Sequence, residues 1–196
     1  MNLKLTIAIS VFLFFLVPGI LNAGPFGTKM GDAKETYLDL QEVNQNEPGF
    51  EMYYTTKVPK RHSLFQAYIL KFGNTGLVSV SGFSKSFDND RYGRGALRAY
   101  DNIKKQLTEK YGVSKNFEFL NQNGLWKDED EFAMSLVHNE RQHGCEWTKN
   151  LPDDLKLIRL MLIGESSDSI KIGLLYEYTN IDSANEINEK IEKDSL

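Results

Sequence analysis

Along residues 96–111 apolar side chains recur every three or four positions. Leu97, Tyr100, Ile103, Leu107 and Tyr111 share one helical face, and Lys104, Lys105, Glu109 and Lys110 take the other. This spacing predicts an amphipathic helix stopped by Gly112. Residues 170–178 obey a period of two instead: Ile170, Ile172, Leu174, Tyr176 and Tyr178 alternate with Lys171, Gly173 and Glu177. That pattern predicts a strand with one face covered and the other turned to solvent or a shallow groove. Residues 156–163 are almost continuously apolar, which predicts a central strand covered on both faces.

The remaining pattern fills in around these segments. Residues 32–43 carry Tyr37, Leu38 and Leu40 and read as a first helix, ended by Pro48 and Gly49. A tyrosine- and threonine-rich strand is expected at 50–58, then a hairpin of 64–72 and 77–83 turning through Gly73, Asn74, Thr75 and Gly76. Residues 113–126 read as a connector. Residues 128–142 read as a third helix with acids in its first turn and Gly144 as its stop. A last helix begins near Ser183, with Glu186 placed for a capping box. The order is helix, three strands, two helices, two strands, helix. It implies an α+β domain over residues 24–196, with helices packed on an antiparallel sheet of about five strands.

The first 23 residues change the cellular picture. Lys4 precedes an apolar run over 5–17, Pro18 and Gly19 break it, and Ala23 supplies the small residue before a cut. The run is about 13 residues, shorter than the roughly 20 that span a bilayer, so a cleaved secretory leader is expected rather than a permanent anchor. No cysteine follows the cut to accept lipid. Loss of Lys4, the leader's one charged residue, takes the formal charge from −4 to −5, which argues against nucleic acid as a partner. With Cys145 alone there is no internal disulfide, a pattern that fits a bacterial periplasm or secreted protein better than a small eukaryotic exported domain.

Candidate chemistry concentrates in HNERQHGCEWT, residues 138–148. His138 and His143 are five apart, about 140° around a helix, and Glu140 is displaced from the position that activates water in HExxH, so no metal site is expected. Cys145 near His143 is either a nucleophile or a small buried residue; Cys145 and Trp147 are expected to pack inward, with Glu140 or Arg141 in a local ion pair. The loop FDNDRYGRG fails as a calcium site because Ala99 stands at the twelfth position. With Gly93 and Gly95 ahead of a helix and Arg91, Arg94 and Arg98 nearby, it reads as an anion cradle or a solvated loop. No phosphate-binding, dinucleotide or GxSxG pattern is present, and no cofactor is expected.

The stretch PFGTKMGDAKETYLDL resembles the opening of small exported bacterial domains of the BamE/OmlA and β-lactamase-inhibitor-like type, in which Phe-x-x-x-x-Gly precedes a short helix. Phe26 and Gly31 carry the match, with Tyr37, Leu38 and Val43 as helix positions. The resemblance implies a helical hairpin on an antiparallel sheet and admits an inhibitor or immunity role. From the residues themselves the expected function is an exported binding or accessory protein of the bacterial envelope. Its partner is expected to be a protein or envelope component held by Arg91, Arg94, Tyr176 and Tyr178, with Tyr53, Tyr54 and Tyr68 as further rigid contacts. The alternative is a periplasmic enzyme using His138, Glu140, His143 and Cys145.

Overall fold

The two-residue period of 170–178 is shared by the strands around it, and together they make one wide sheet. The structure is a computed structural model describing residues 24–44, 47–152 and 154–194; the expected leader, 1–23, lies outside the described residues. The described residues form eight strands: β1 (Gln41–Glu42), β2 (Glu51–Thr55), β3 (Phe65–Gly73), β4 (Gly76–Ser84), β5 (Lys115–Leu120), β6 (Arg141–Trp147), β7 (Leu155–Ser166) and β8 (Ser169–Tyr178). The α-helices among the described residues are α1 (Arg94–Tyr111), α2 (Phe132–Val137) and α3 (Ile181–Asp194). All strand pairs are antiparallel, in the order β1-β2-β3-β4-β8-β7-β6-β5. Two four-stranded meanders thus meet where β4 pairs with β8, and α1 makes the crossover between them.

The expected sheet of about five strands in the order helix, three strands, two helices, two strands, helix is corrected by this topology. Residues 32–43 form no α-helix: Lys34–Thr36 makes a single 3-10 turn, Asp39 adopts φ 54°, and β1 follows. The chain there is strapped beside β4, since the Gly31 amide donates to the Leu77 carbonyl and the Leu77 amide to the Asp32 carbonyl. Residues 113–126, expected as a connector, contain β5. The third helix ends at Val137, five residues early, because Asn139 turns left-handed (φ 57°) and the chain enters β6.

Strand registers separate the two faces. Trp147, Ile158, Tyr176, Val80 and Leu70 stand side by side across five strands and are all buried. The neighbouring row spans all eight strands: Lys115, Glu146, Arg159, Leu175, Ser81, Ile69, Tyr54 and Gln41, none of them buried. The first row belongs to the covered face. Over it lie α1, through Ala96, Tyr100, Ile103, Leu107 and Tyr111, and the segment from Pro25 onward, whose Phe26 ring meets Phe65, Tyr68 and Tyr176 edge-on. The second row belongs to an open face. Residues 156–163 therefore alternate between buried and half-buried rather than being covered on both sides. At one end α3 rests through Ile181 and Ala184 on Val78 and Phe50, a small separate cluster.

Candidate functional site

The residues singled out by sequence do not gather. Tyr176 and Tyr178 fall on the covered face, where Tyr178 shares a hydrogen bond of 2.7 Å with the Thr28 hydroxyl. Burial pushes both phenols well above their usual range. The alternation that makes 170–178 a strand is what sends them inward, so they offer no external contact. Tyr68 is buried too. Tyr54 lies in the open-face row, and Tyr53, one residue away, shares the Glu51 carboxylate with Lys34.

The expected anion cradle is already filled. Asp90 turns its carboxylate onto the Ala96 amide at 2.8 Å, satisfying the start of α1 with an internal anion. Arg91 pairs with Asp130 at 2.9 Å and also donates to its carbonyl, while Arg94 lies over the Tyr92 ring. These arginines tie the loop to its neighbours.

HNERQHGCEWT is divided among separate structural jobs. His138 stacks on Trp126 with ring centroids 5.4 Å apart. Glu140 accepts the Leu125 and Trp126 amides and pins that loop. His143 packs edge-on to Tyr100 at 4.8 Å, and burial lowers its pKa. Neither Glu140 nor Arg141 forms the expected ion pair among the described residues. Arg141 donates to the Ser135 hydroxyl at 2.9 Å and lies over the Phe132 ring. Gly144, expected as a helix stop, sits inside β6, where a Cβ would come within 2.2 Å of the Phe117 ring and 2.8 Å of the Leu160 carbonyl oxygen. Among the described residues, no group of three His, Cys, Asp or Glu side chains is placed to hold a metal.

Cys145 and Trp147 do pack inward, on the covered face. Burial raises the Cys145 thiol above its ordinary pKa, the opposite of what a nucleophile needs. An aromatic disulfide reagent is therefore expected to leave Cys145 unmodified in the native chain and to titrate one thiol per chain after denaturation. Prompt labelling of the native protein would contradict the burial.

The feature that does collect chemistry lies where the sheet parts. The β6–β7 ladder runs from Trp147↔Ile158 to Gly144↔Met161 and stops. Beyond it α2 wedges against β7, and Gly164 makes this fit: a Cβ there would strike the Val137 amide nitrogen at 2.5 Å. The parting opens a groove of about 590 Å³ that continues onto the open face. Phe117, Leu136, Val137, Met161 and Ile163 supply apolar walls, and Lys115, Arg141, Arg159 and Glu146 supply the charges. Arg159 donates to Glu146 at 3.1 Å and lies near the Phe117 ring, yet its Nε is buried with no partner among the described residues. Lys115 and Arg141 have no carboxylate within ion-pair distance among the described residues. A smaller hollow of about 160 Å³ shares Arg159, Met161 and Ile163 with the groove and extends it toward Phe83. Another hollow, about 520 Å³ and lined by Phe50 and Asn188, has Lys34 as its one lining cation among the described residues, already paired with Glu51 at 2.7 Å.

Arg159 was legible as the lone charge within LIRLMLI, a sequence otherwise apolar. No family model, curated protein or solved structure matches the chain. No helix among the described residues is long and apolar enough to cross a membrane.

Proposed function

We propose that this is an exported binding protein of the bacterial envelope, and that it holds a carboxylate-bearing, partly apolar ligand in the groove between β6, β7 and α2. One observation carries the reading: a chain of formal charge −4 sets three cations against a single carboxylate around this groove of about 590 Å³. Arg159 presents a planar fork suited to a carboxylate, and Lys115 and Arg141 add unopposed charge that favours an anion over a neutral group. Phe117, Met161 and Ile163 give an aliphatic body a surface to cover, in a volume typical of small-molecule sites. The export assignment rests on the first 23 residues. Binding is favoured over catalysis because Glu146, the groove's one carboxylate, is engaged by Arg159, and the Cys145 thiol faces the covered side.

Decanoate is a suitable probe, titrated calorimetrically into residues 24–196. R159Q, which keeps a polar, hydrogen-bonding side chain but loses the charge, is expected to weaken binding by about tenfold or more. Decanol, with the same chain and no charge, is expected to bind less tightly than decanoate. Equal affinity of decanol, or of R159Q with an unchanged circular dichroism spectrum, would remove the support for an anion site.

A further inference from the structure

The sheet ends on one side at β5, and among the described residues nothing pairs with the outer edge of that strand. Lys115–Leu120 reads KNFEFL, with no proline, and it pairs with β6 over all six residues without a bulge. Edges of this kind are usually blunted, because a row of free amides and carbonyls recruits another strand. The opposite edge, β1, is only Gln41–Glu42, both exposed polar residues. Phe119 on β5 is 52% exposed, Val113 just before it 92%, and Leu125 shortly after it 80%. Three of the seven large exposed apolar residues of the described chain thus cluster in sequence around this one edge.

We propose that two copies of this chain pair antiparallel through β5 about a two-fold axis at Phe117, joining their sheets into one. A strand that meets its own copy must keep side chains of like parity on the same face, which restricts the registers. Centring on Phe117 sets Phe117 against its own copy, Lys115 against Phe119 and Asn116 against Glu118. The first is an aromatic pair, the second lays an ammonium beside an aromatic ring, and the third sets an amide donor opposite a carboxylate. Centring on Glu118 would instead place two carboxylates opposite one another. Centring on Asn116 would leave Glu118, Phe119 and Leu120 without partners inside the strand, against Leu120 alone when the axis is at Phe117.

The pairing extends the groove as well. Lys115 and Phe117 line it on the β5 side. In the dimer Phe119 of the partner subunit stands beside Lys115 on the open face, so each copy adds an apolar side chain to the rim of the other's groove. This goes beyond the ligand reading and stands on separate observations.

Sedimentation equilibrium of residues 24–196 at up to about 100 μM tests it. A dimer is expected. F119K places two ammonium groups opposite each other twice across the two-fold, and should raise the dissociation constant about tenfold or more. The double variant K115E/F119K sets opposite charges across the same two pairs and should return the constant to within about threefold of the unaltered chain. Both positions are exposed, and thermal melts matching that of the unaltered chain are the check that each variant folds. A monomer throughout the range, a dimer unmoved by F119K, or a double variant as weak as F119K would each overturn the proposal. None of these readings depends on decanoate binding, so either inference can fail without the other.

Discussion

Replacing Phe26 with alanine is expected to destabilise residues 24–196 by about 3–5 kcal/mol, read as a lower urea midpoint with an unchanged slope. The ring is buried and meets Phe65, Tyr68 and Tyr176 edge-on at centroid distances of 5.5, 4.9 and 5.6 Å. It fills space that Gly82 leaves free: a Cβ on Gly82 would come within 2.8 Å of it. Phe26 also adopts φ 55°, a left-handed conformation that costs a non-glycine residue about 1–2 kcal/mol. The fold tolerates that cost because the Phe26 carbonyl accepts the Lys60 amide at 2.9 Å and the side chain completes the covered face between β3, β4 and β8. A loss below about 1 kcal/mol would mean that the segment from Gly24 is an ornament on a core complete without it.

Replacing Trp147 with alanine should cost a similar amount, about 3–5 kcal/mol. Trp147 is 1% exposed, sits opposite Ile158 in the β6–β7 ladder, and donates its indole N–H to the Gly112 carbonyl at 2.7 Å. That bond fastens the end of α1 to β6, so the side chain joins the crossover helix to the second meander. W147F separates the two contributions. It retains most of the apolar area but orphans the Gly112 carbonyl, and a loss of about 1–3 kcal/mol is expected. Calorimetric melts of both variants measure the ratio, and a W147F loss equal to that of W147A would assign the whole effect to the hydrogen bond.

Legibility in the sequence followed the length of each periodic segment. The helix expected at 96–111 is α1, with Tyr100, Ile103, Leu107 and Tyr111 buried, although Ala96 rather than Leu97 lies deepest at its start. The hairpin of β3 and β4 turns where its glycines stand, with Gly76 at φ 82°. Short segments misled. KNFEFL has only two apolar alternations before its turn, and its identity as β5 depends on β6 being there to accept it. HNERQH looked helical because α2 leads into it, yet the helical bonding is released at Asn139 and Arg141–Trp147 pairs with β5 and β7. The apolar run of 156–163 looked doubly covered because Leu157, Met161 and Ile163 are as apolar as Ile158, Leu160 and Leu162; composition does not reveal which face receives a cover.

The groove was hidden for the same reason. Its charges come from β5, β6 and β7, and Lys115, Glu146 and Arg159 become neighbours only through strand register. The sites that looked richest in the chain, the Arg91–Arg94 loop and the histidine segment, are consumed by local bonds: Asp90 caps α1, Asp130 takes Arg91, and Trp126 takes His138.

Local periodicity was enough to settle α1 and the β3–β4 hairpin, because each follows from contacts within or between adjacent segments. The union of β4 with β8, the parting of β6 from β7 around α2, and the choice of which face stays open were settled by distant packing. Phe26, α1 and Trp147 occupy one side of the sheet, and the cations of β5 and β7 are left facing the other.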